Sequence, residues 1–272
     1  MAKQLNIVFF GEDSFSDVIL HSLIDAGHNV NLVVTPLYDN LIYKRLERTC
    51  LANAIAFYRA PKVNSEDTCK IVSKAQPDLC VIAHFERLIK QPLLCIPSMG
   101  YINLHPSLLP DYRGMAPQHW PIINREHEAG ITVHYVDETA DTGNIIAQHR
   151  FPIDETMYVS DLQRIWLNHY KTIMVEAINA ILEGKPTKEQ KSLEGRYYGK
   201  LKKEQCVINK KGSVLDAYSL IRGVSLPYFG ATYDDKVIYK AHIREDKESC
   251  DETKVLHFSD GDLVIDSYKM QE

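Results

Sequence analysis

The stretch NLHPSLLPDYRGMAP (residues 103–117), followed by VDETADTG (136–143), decides the fold and the site of this chain. Asn103 and His105 are two residues apart, so on an extended segment their side chains project from the same face. The prolines that follow prevent a continuing helix, which predicts that His105 lies where a strand ends and a loop begins.

Each of these loops follows an apolar run, MGYINL (99–104) and GITVHYV (130–136). A strand followed by a loop, twice, is typical of a site at the carboxyl edge of a sheet. The second loop brings Asp141 to the carboxamide of Asn103 and the imidazole of His105. The three groups supply an oxyanion donor, a general base and a carboxylate that tunes the base, which suits attack by an amine on an activated acyl carbon. The alternative is structural, because Asn is often a turn former and His often bonds a backbone carbonyl.

Alternation of apolar strands with helices over residues 1–150 predicts a parallel α/β sheet, Rossmann-like in outline. Strands are predicted over 5–10, 29–35 and 78–85, and helices over 14–27, 45–56, 65–75 and 158–183.

After Pro186 the chain becomes polar and then alternates between apolar and polar residues. A short helix is predicted over 213–223, followed by strand-like segments with the SDGD sequence as a hairpin turn. The predicted division is a domain over 1–187 that holds the active site, a linker over 188–205 and a small β-rich C-terminal domain over 206–272.

Composition and local sequence patterns argue against several classes of protein. A net charge of −5 over 272 residues argues against a strongly basic nucleic-acid surface. No apolar run approaches the roughly 20 residues of a membrane span, and the N-terminal segment reaches Glu12 and Asp13 too soon for a signal peptide. The six cysteines contain no CxxC pair, so we expect no metal site, no disulfide framework and a cytoplasmic protein with reduced thiols. The loop FFGEDSFSD (9–17) lacks the GxGxxG of a dinucleotide fold, which argues against an NAD enzyme.

The segments HPSLLPDYRGMAP and HYVDETADTGNIIAQ (134–148) together resemble the family of formyltransferases that use N10-formyltetrahydrofolate as one-carbon donor. Members include methionyl-tRNA formyltransferase, glycinamide ribonucleotide transformylase and the sugar N-formyltransferases. The resemblance implies that Asn103, His105 and Asp141 form the catalytic trio. The missing glycine-rich phosphate loop counts against the glycinamide ribonucleotide branch.

The resemblance also implies where the folate binds, between the segment AHFERLIK (83–90) and the acidic loop. Apolar walls are expected from the first segment, and the acidic loop contributes further contacts. The residues are Phe85, Leu88, Ile89, Asp137, Thr139 and Asp141. Ordinary core packing is the alternative for Phe85 and Ile89, and the run from His84 to Arg87 is more polar than is common in the family.

The methionyl-tRNA formyltransferases and the sugar N-formyltransferases differ in the amine that they formylate. A tRNA enzyme needs lysines and arginines against phosphate, yet residues 207–272 carry nine Lys and Arg against twelve Asp and Glu. The sugar N-formyltransferase branch fits better, with a dTDP-linked 3- or 4-amino-dideoxyhexose as the first expectation for the acceptor and a UDP-linked amino sugar as the second. The branch implies a role in surface polysaccharide (O-antigen or lipooligosaccharide) biosynthesis and a homodimer. Methionyl-tRNA formyltransferase and a non-catalytic folate-binding protein remain the alternatives.

Candidate contacts to the nucleotide-linked sugar come from three segments. Arg113 is suited to bidentate phosphate binding, and the aromatic residues resemble those that lie near the nucleotide in this branch. The residues are Arg113, Gly114, Met115, Tyr197, Tyr198 and Phe229. For Arg113 an ion pair with Asp111 or Glu138 is the alternative, and for the aromatic residues it is a packed hinge.

Overall fold

The computed structural model describes residues 3–190, 197–245 and 251–271, which form two compact units. The first unit comprises Met1–Arg113, Gly130–His149 and Trp166–Tyr197, and the second comprises Gly114–Ala129, Arg150–Ile165 and Tyr198–Glu272. The domain boundaries expected at 187 and 206 stay a prediction. Residues 191–196 of the predicted linker lie outside the described residues.

The larger sheet has seven strands in the order β3-β2-β1-β4-β5-β7-β8. The first eight strands along the chain are β1 (Asn6–Gly11), β2 (Asn29–Pro36), β3 (Ala56–Ala60), β4 (Leu79–Ala83), β5 (Tyr101–His105), β6 (Arg113–Gly114), β7 (Glu128–Tyr135) and β8 (Ile145–Pro152). The first five strands of the order pair in parallel, as the sequence predicts, whereas β7 pairs antiparallel to β5. The predicted Rossmann-like α/β class is confirmed, with a mixed rather than purely parallel sheet.

Burial explains why the central strands are continuous apolar runs in the sequence. Ile7, Val8, Phe9 and Phe10 of β1 are all fully buried, because a parallel sheet is covered on both faces. Val8 and Phe10 share one apolar cluster with Tyr101 of β5. A tightly packed central sheet therefore holds the carboxyl ends of β4 and β5 in fixed register, with Ile82 opposite Asn103.

The helices differ from the sequence prediction in two places, the short helix over Trp120–Ile123, which was not predicted, and the segment 158–183. They are α1 (Ser14–Asp25), α2 (Lys44–Ala52), α3 (Glu66–Lys74), α4 (Trp120–Ile123), α5 (Val159–Tyr170), α6 (Ile173–Leu182) and α7 (Val214–Val224). The single helix predicted over 158–183 is wrong, since α5 ends at Tyr170 and α6 begins at Ile173. Thr172, between them, has φ −123° and ψ −42°, and its carbonyl accepts the first hydrogen bond of α6 from the Glu176 N–H. A β-branched Thr favours such a boundary over a helix interior.

The C-terminal part of the second unit is mostly β structure, as predicted. A two-residue strand, β9 (Tyr197–Tyr198), precedes it and pairs with β6. The four-stranded antiparallel sheet has the order β10-β11-β13-β12, built from β10 (Ala231–Tyr233), β11 (Lys236–Ile243), β12 (Val255–Phe258) and β13 (Gly261–Met270). Phe258 pairs with Gly261 across the predicted hairpin turn, and Ile221 of α7 is fully buried in the core of this unit.

Candidate active site

Three polar side chains meet at the carboxyl end of β5, all within the first unit. Asn103 and His105 lie in the last three residues of the strand, and Asp141 reaches them from the loop between β7 and β8. Asp141 Oδ1 lies 3.5 Å from Asn103 Nδ2 and 3.6 Å from His105 Nδ1. The structure thus brings together the three residues that the sequence analysis selected as catalytic candidates, and their chemical roles stay a prediction.

The carbonyl of Tyr112 fixes the tautomer of His105. His105 Nε2 lies 2.9 Å from that carbonyl oxygen, and since a carbonyl can only accept, Nε2 carries the proton and donates it. In the neutral ring Nδ1 is then unprotonated and faces Asp141. The His105 side chain is only 6% exposed, so the imidazole is held in one orientation with its basic nitrogen towards the carboxylate.

Asn103 is oriented by a residue that the sequence analysis did not select. His134 of β7 lies directly opposite Asn103 in the antiparallel pairing. Its Nδ1 donates to the Tyr135 carbonyl at 2.7 Å, so its neutral Nε2 is an acceptor for Asn103 Nδ2 at 3.2 Å. The second N–H of Asn103 has Asp141 Oδ1 at 3.5 Å, the outer limit of a hydrogen bond, and can move to a stronger acceptor.

The acidic loop holds Asp141 through its backbone. Asp141 adopts a positive φ of 56°, and the Gln190 side-chain amide donates to its carbonyl at 3.1 Å and to the Gly143 carbonyl at 2.6 Å. A Cβ on Gly143 would overlap the Tyr135 carbonyl oxygen, so only glycine permits this close return of the chain.

Of the three predicted apolar folate contacts, Leu88 has the most open position, with 56% of its surface exposed. Phe85 packs edge-on against Phe10, with ring centroids 5.6 Å apart, and Ile89 is 4% exposed in the same cluster. Asp137 and Thr139 lie on the exposed acidic loop, where the Asp137 carboxylate accepts from the Thr139 backbone N–H at 2.9 Å and from its hydroxyl at 2.8 Å.

The predicted acceptor contacts fall in both units. Arg113 and Tyr197 belong to the first unit, where Tyr197 is 63% exposed. The other four belong to the second unit, and they are Gly114, Met115, Tyr198 and Phe229. In that unit the Tyr198 ring lies 4.4 Å from the Trp120 ring, Tyr198 Oη accepts from Asn124 Nδ2 at 3.1 Å, and Phe229 is 42% exposed.

A second imidazole, His84, lies just past the end of the neighbouring strand β4, and in the sequence it was noted only for its polarity. Its ring stacks on Phe15 at 5.1 Å, Nε2 bonds Tyr170 Oη at 2.9 Å, and Nδ1 faces Asp13 Oδ2 at 3.5 Å. Burial lowers the pKa of His84, the Asp13 carboxylate opposes that shift, and the charge of His105 adds to it. Burial therefore favours the neutral form of His84, and the presence of histidine at two neighbouring strand ends is the sequence signal that could have pointed to it.

Two further features bear on the class of protein. Among the described ranges, no group of three or more His, Cys, Asp or Glu side chains is arranged to hold a metal ion. The helices of that same part of the chain are too short or too polar to cross a membrane.

The fold is a Rossmann-like sheet that carries these three polar side chains at the carboxyl end of β5. Comparison with known proteins names the class: residues 5–178 match the formyl transferase family, and the chain belongs to it. It is 35% identical over 246 residues to the methionyl-tRNA formyltransferase of Azobacteroides pseudotrichonymphae, covering 85% of this chain and 74% of that one.

Solved structures of the same fold include two N-formyltransferases. The sugar 3N-formyltransferase WlaRD, solved in the presence of dTDP and 5-N-formyl-THF, aligns with TM-score 0.73 and 22% identity over 97% of both chains. The N-formyltransferase of Helicobacter canadensis, in complex with folinic acid and dTDP-3-aminofucose, aligns with TM-score 0.72 and 19% identity over 98% of this chain and 100% of that one. At these identities the likeness concerns the fold.

Proposed function

We propose that this chain transfers the formyl group of N10-formyltetrahydrofolate to the amino group of a nucleotide-linked amino-dideoxysugar. The observation that carries the proposal is the convergence of Asn103, His105 and Asp141 at one sheet edge. The first expectation for the acceptor is a dTDP-linked 3- or 4-amino-dideoxyhexose. The product would serve surface polysaccharide synthesis, and we expect a cytoplasmic homodimer that requires no metal.

The chemistry follows from the tautomer of His105. The amine attacks the formyl carbon, a C–N bond forms, and the carbonyl oxygen becomes an oxyanion that the Asn103 N–H now facing Asp141 can bind. His105 Nδ1 takes the proton from the attacking nitrogen, and Asp141, 3.6 Å away, stabilises the imidazolium. The bond from the carbon to N10 of the folate then breaks, and the same proton passes to N10. The products are a formamide and tetrahydrofolate, and the base is regenerated.

The donor proposal rests on family membership and on the two folate-complexed structures of this fold. The loop after β4 and the acidic loop lie on either side of the strand end that bears His105. We place the pterin there, with Leu88 and the backbone of residues 83–90 as contacts.

The charge of the C-terminal segment favours a sugar nucleotide over tRNA. Residues 207–272 have a balance of −3, nine basic against twelve acidic side chains. A tRNA-binding surface needs the opposite sign, because each phosphate contact neutralises a negative charge. Two solved structures of this fold contain dTDP or dTDP-3-aminofucose, which agrees with this choice.

Methionyl-tRNA formyltransferase is the second candidate, and a specific observation favours it. The curated relative with 35% identity carries that name, and this identity exceeds the 22% and 19% of the sugar enzymes. The two candidates share the donor and the trio, so only the acceptor separates them.

One experiment distinguishes the two. The protein is incubated with N10-formyltetrahydrofolate and either a panel of dTDP- and UDP-linked amino sugars or initiator tRNA charged with methionine. We expect one formyl group of added mass on a dTDP-amino sugar. Formylation of the tRNA alone would replace the proposal with the second candidate. Folate binding without turnover on any acceptor, together with no effect of His105→Ala, would indicate a non-catalytic folate-binding protein.

A further inference from the structure

The loop between α7 and β10, in the second unit, carries an exposed aromatic ring on a fixed backbone. The ring is that of Phe229. On one side of it the Tyr228 N–H donates to the Ser225 carbonyl at 2.9 Å, and on the other the Gly230 N–H donates to the Val224 carbonyl at 2.8 Å. An exposed ring on such a backbone is suited to stacking on the flat face of a nucleobase.

The side chain of Tyr228 anchors this loop to two other segments of the same unit. Its Oη accepts from Gln163 Nε2 of α5 at 2.5 Å and from Gln118 Nε2, which precedes α4, at 3.3 Å. The three residues are far apart in the sequence, so the bonds fix the loop against the body of the unit. Two donors that converge on one oxygen from separate segments also restrict the phenol ring to one position.

The amide of Gln118 is in turn oriented by His119. His119 Nδ1 lies 2.7 Å from the Gly223 carbonyl oxygen, which can only accept, so Nδ1 carries the proton. In the neutral ring Nε2 is then an acceptor, and Gln118 Nε2 donates to it at 3.2 Å. Burial lowers the pKa of His119, which favours this neutral form. One N–H of the Gln118 amide therefore goes to the imidazole, and the other is left for Tyr228.

We infer that Gln118, His119 and Gln163 are positioning residues for the nucleotide end of the acceptor. They hold Tyr228, and with it the loop, so that the nucleobase stacks on a Phe229 ring that is already in place. A side chain that is ordered before binding loses less conformational entropy when the ligand arrives. The inference rests on the proposed function, in which Phe229 is a predicted contact of the nucleotide-linked sugar.

The test measures by calorimetry the affinities for dTDP, for UDP and for 5-formyltetrahydrofolate. Tyr228→Phe removes the phenol oxygen and keeps the ring, and Gln163→Leu removes the shorter of the two bonds. We expect either change to weaken binding of the preferred nucleotide about two- to tenfold, the usual entropic cost of ordering one side chain on binding. Binding of the folate stays unchanged. Gln163→Glu recovers the nucleotide affinity, because the Tyr228 hydroxyl can donate to the carboxylate.

The outcomes separate this inference from the proposed function. Tyr268→Phe, the same change at an exposed tyrosine of β13, is the matched control and keeps all wild-type affinities. An unchanged nucleotide affinity in Tyr228→Phe overturns the positioning role and leaves the proposed acceptor intact. Failure of the wild type to bind either nucleotide overturns the proposed acceptor, and this inference with it. Nucleotide and folate affinities that fall together in Tyr228→Phe report a general loss of structure and also overturn the assignment.

Discussion

At the scale of single residues, a backbone carbonyl rather than a side chain determines which nitrogen of His105 is unprotonated and can act as the base. Tyr112 has a positive φ of 60°, and its carbonyl holds the Nε2 proton of His105. The position of His105 at a strand end could be predicted from the sequence, because the prolines that follow it restrict the backbone of their immediate neighbours. The sequence could not assign the tautomer, which depends on how residues 106–112 fold back. Nor could it find His134, whose role arises from its position opposite Asn103 across the antiparallel pair.

Asn103→Ala tests the oxyanion donor. We expect kcat to fall by about 100- to 1000-fold, the usual cost of losing one such donor, with little change in KM because the donor acts on the developing charge. Steady-state kinetics with the best acceptor of the panel measures both. Asn29→Ala, at the exposed amino end of β2, is the control and keeps wild-type kcat. A variant in which only KM rises would instead make Asn103 a binding residue.

His134→Phe tests the orientation of Asn103. The variant removes the acceptor at 3.2 Å while filling similar volume, so the amide of Asn103 loses its fixed rotamer. We expect kcat to fall about tenfold, less than for loss of Asn103 itself, because only positioning is affected. His134→Gln restores an acceptor and recovers part of the rate. Equal rates for wild type and His134→Phe would show that Asn103 is held by other contacts.

At the scale of elements, the presence of strands was predictable and their direction was not. Runs of buried aliphatic residues indicate β1, β2 and β4, whereas β3 was missed because AFYRA is an edge strand with an exposed start and a partly exposed arginine. The antiparallel β7 depends on the whole connection from 106 to 127. The division between α5 and α6 was also missed, since the apolar spacing continues across Thr172.

Gly143→Ala tests whether the acidic loop positions Asp141. The new Cβ would overlap the Tyr135 carbonyl, so the loop must shift. Such overpacking typically costs about 1–3 kcal/mol, and we expect a lower free energy of unfolding together with a lower kcat. Denaturant titration and kinetics measure the two effects. Gly199→Ala is the matched control, because nothing lies within 4 Å of its Cβ. Unchanged kcat in Gly143→Ala would separate the loop from catalysis.

Asp13→Ala tests the start of α1. Its carboxylate accepts from the backbone N–H groups of Phe15 and Ser16 at 3.0 and 2.9 Å, and loss of such a cap costs about 1 kcal/mol. We expect that loss in the free energy of unfolding measured with urea. Asp13→Asn keeps an acceptor oxygen and recovers most of it. If Asp13→Asn is as unstable as Asp13→Ala, the charge facing His84, not the cap, provides the stability.

At the scale of the whole molecule, composition excluded classes of protein but left the acceptor undecided. The charge balance is a sum over many residues and is fully visible in the sequence. The identity of the amine depends on a few shape-determining contacts on segments from different parts of the chain. For that reason the fold and the convergence of Asn103, His105 and Asp141 were predictable, while the two candidate acceptors require the incubation experiment.

Buried histidines make the stability of the molecule depend on pH. Burial lowers the pKa of His119 below its ordinary value of 6.5, although its hydrogen bond to the Gly223 carbonyl opposes the shift. Between the lowered value and 6.5 the unfolded chain binds a proton that the native chain does not. The contribution of His119 to stability is therefore complete above about pH 6.5 and is lost as the pH falls. Burial raises the pKa of Glu12, which therefore affects the pH dependence of stability in the opposite direction. The test must for this reason compare variants with the wild type rather than interpret one curve of stability against pH.

We expect the melting temperature of the wild type to fall more steeply than that of His119→Gln between about pH 7 and pH 5, because glutamine takes up no proton in this range. The introduced side-chain amide is neutral in both the folded and the unfolded chain, and it can still donate to the Gly223 carbonyl, so the two proteins differ chiefly in protonation. His127→Gln, at an exposed position, is the control and follows the wild-type slope. Parallel slopes for wild type and His119→Gln would mean that His119 is protonated in the native state, and that a counter-charge compensates its burial.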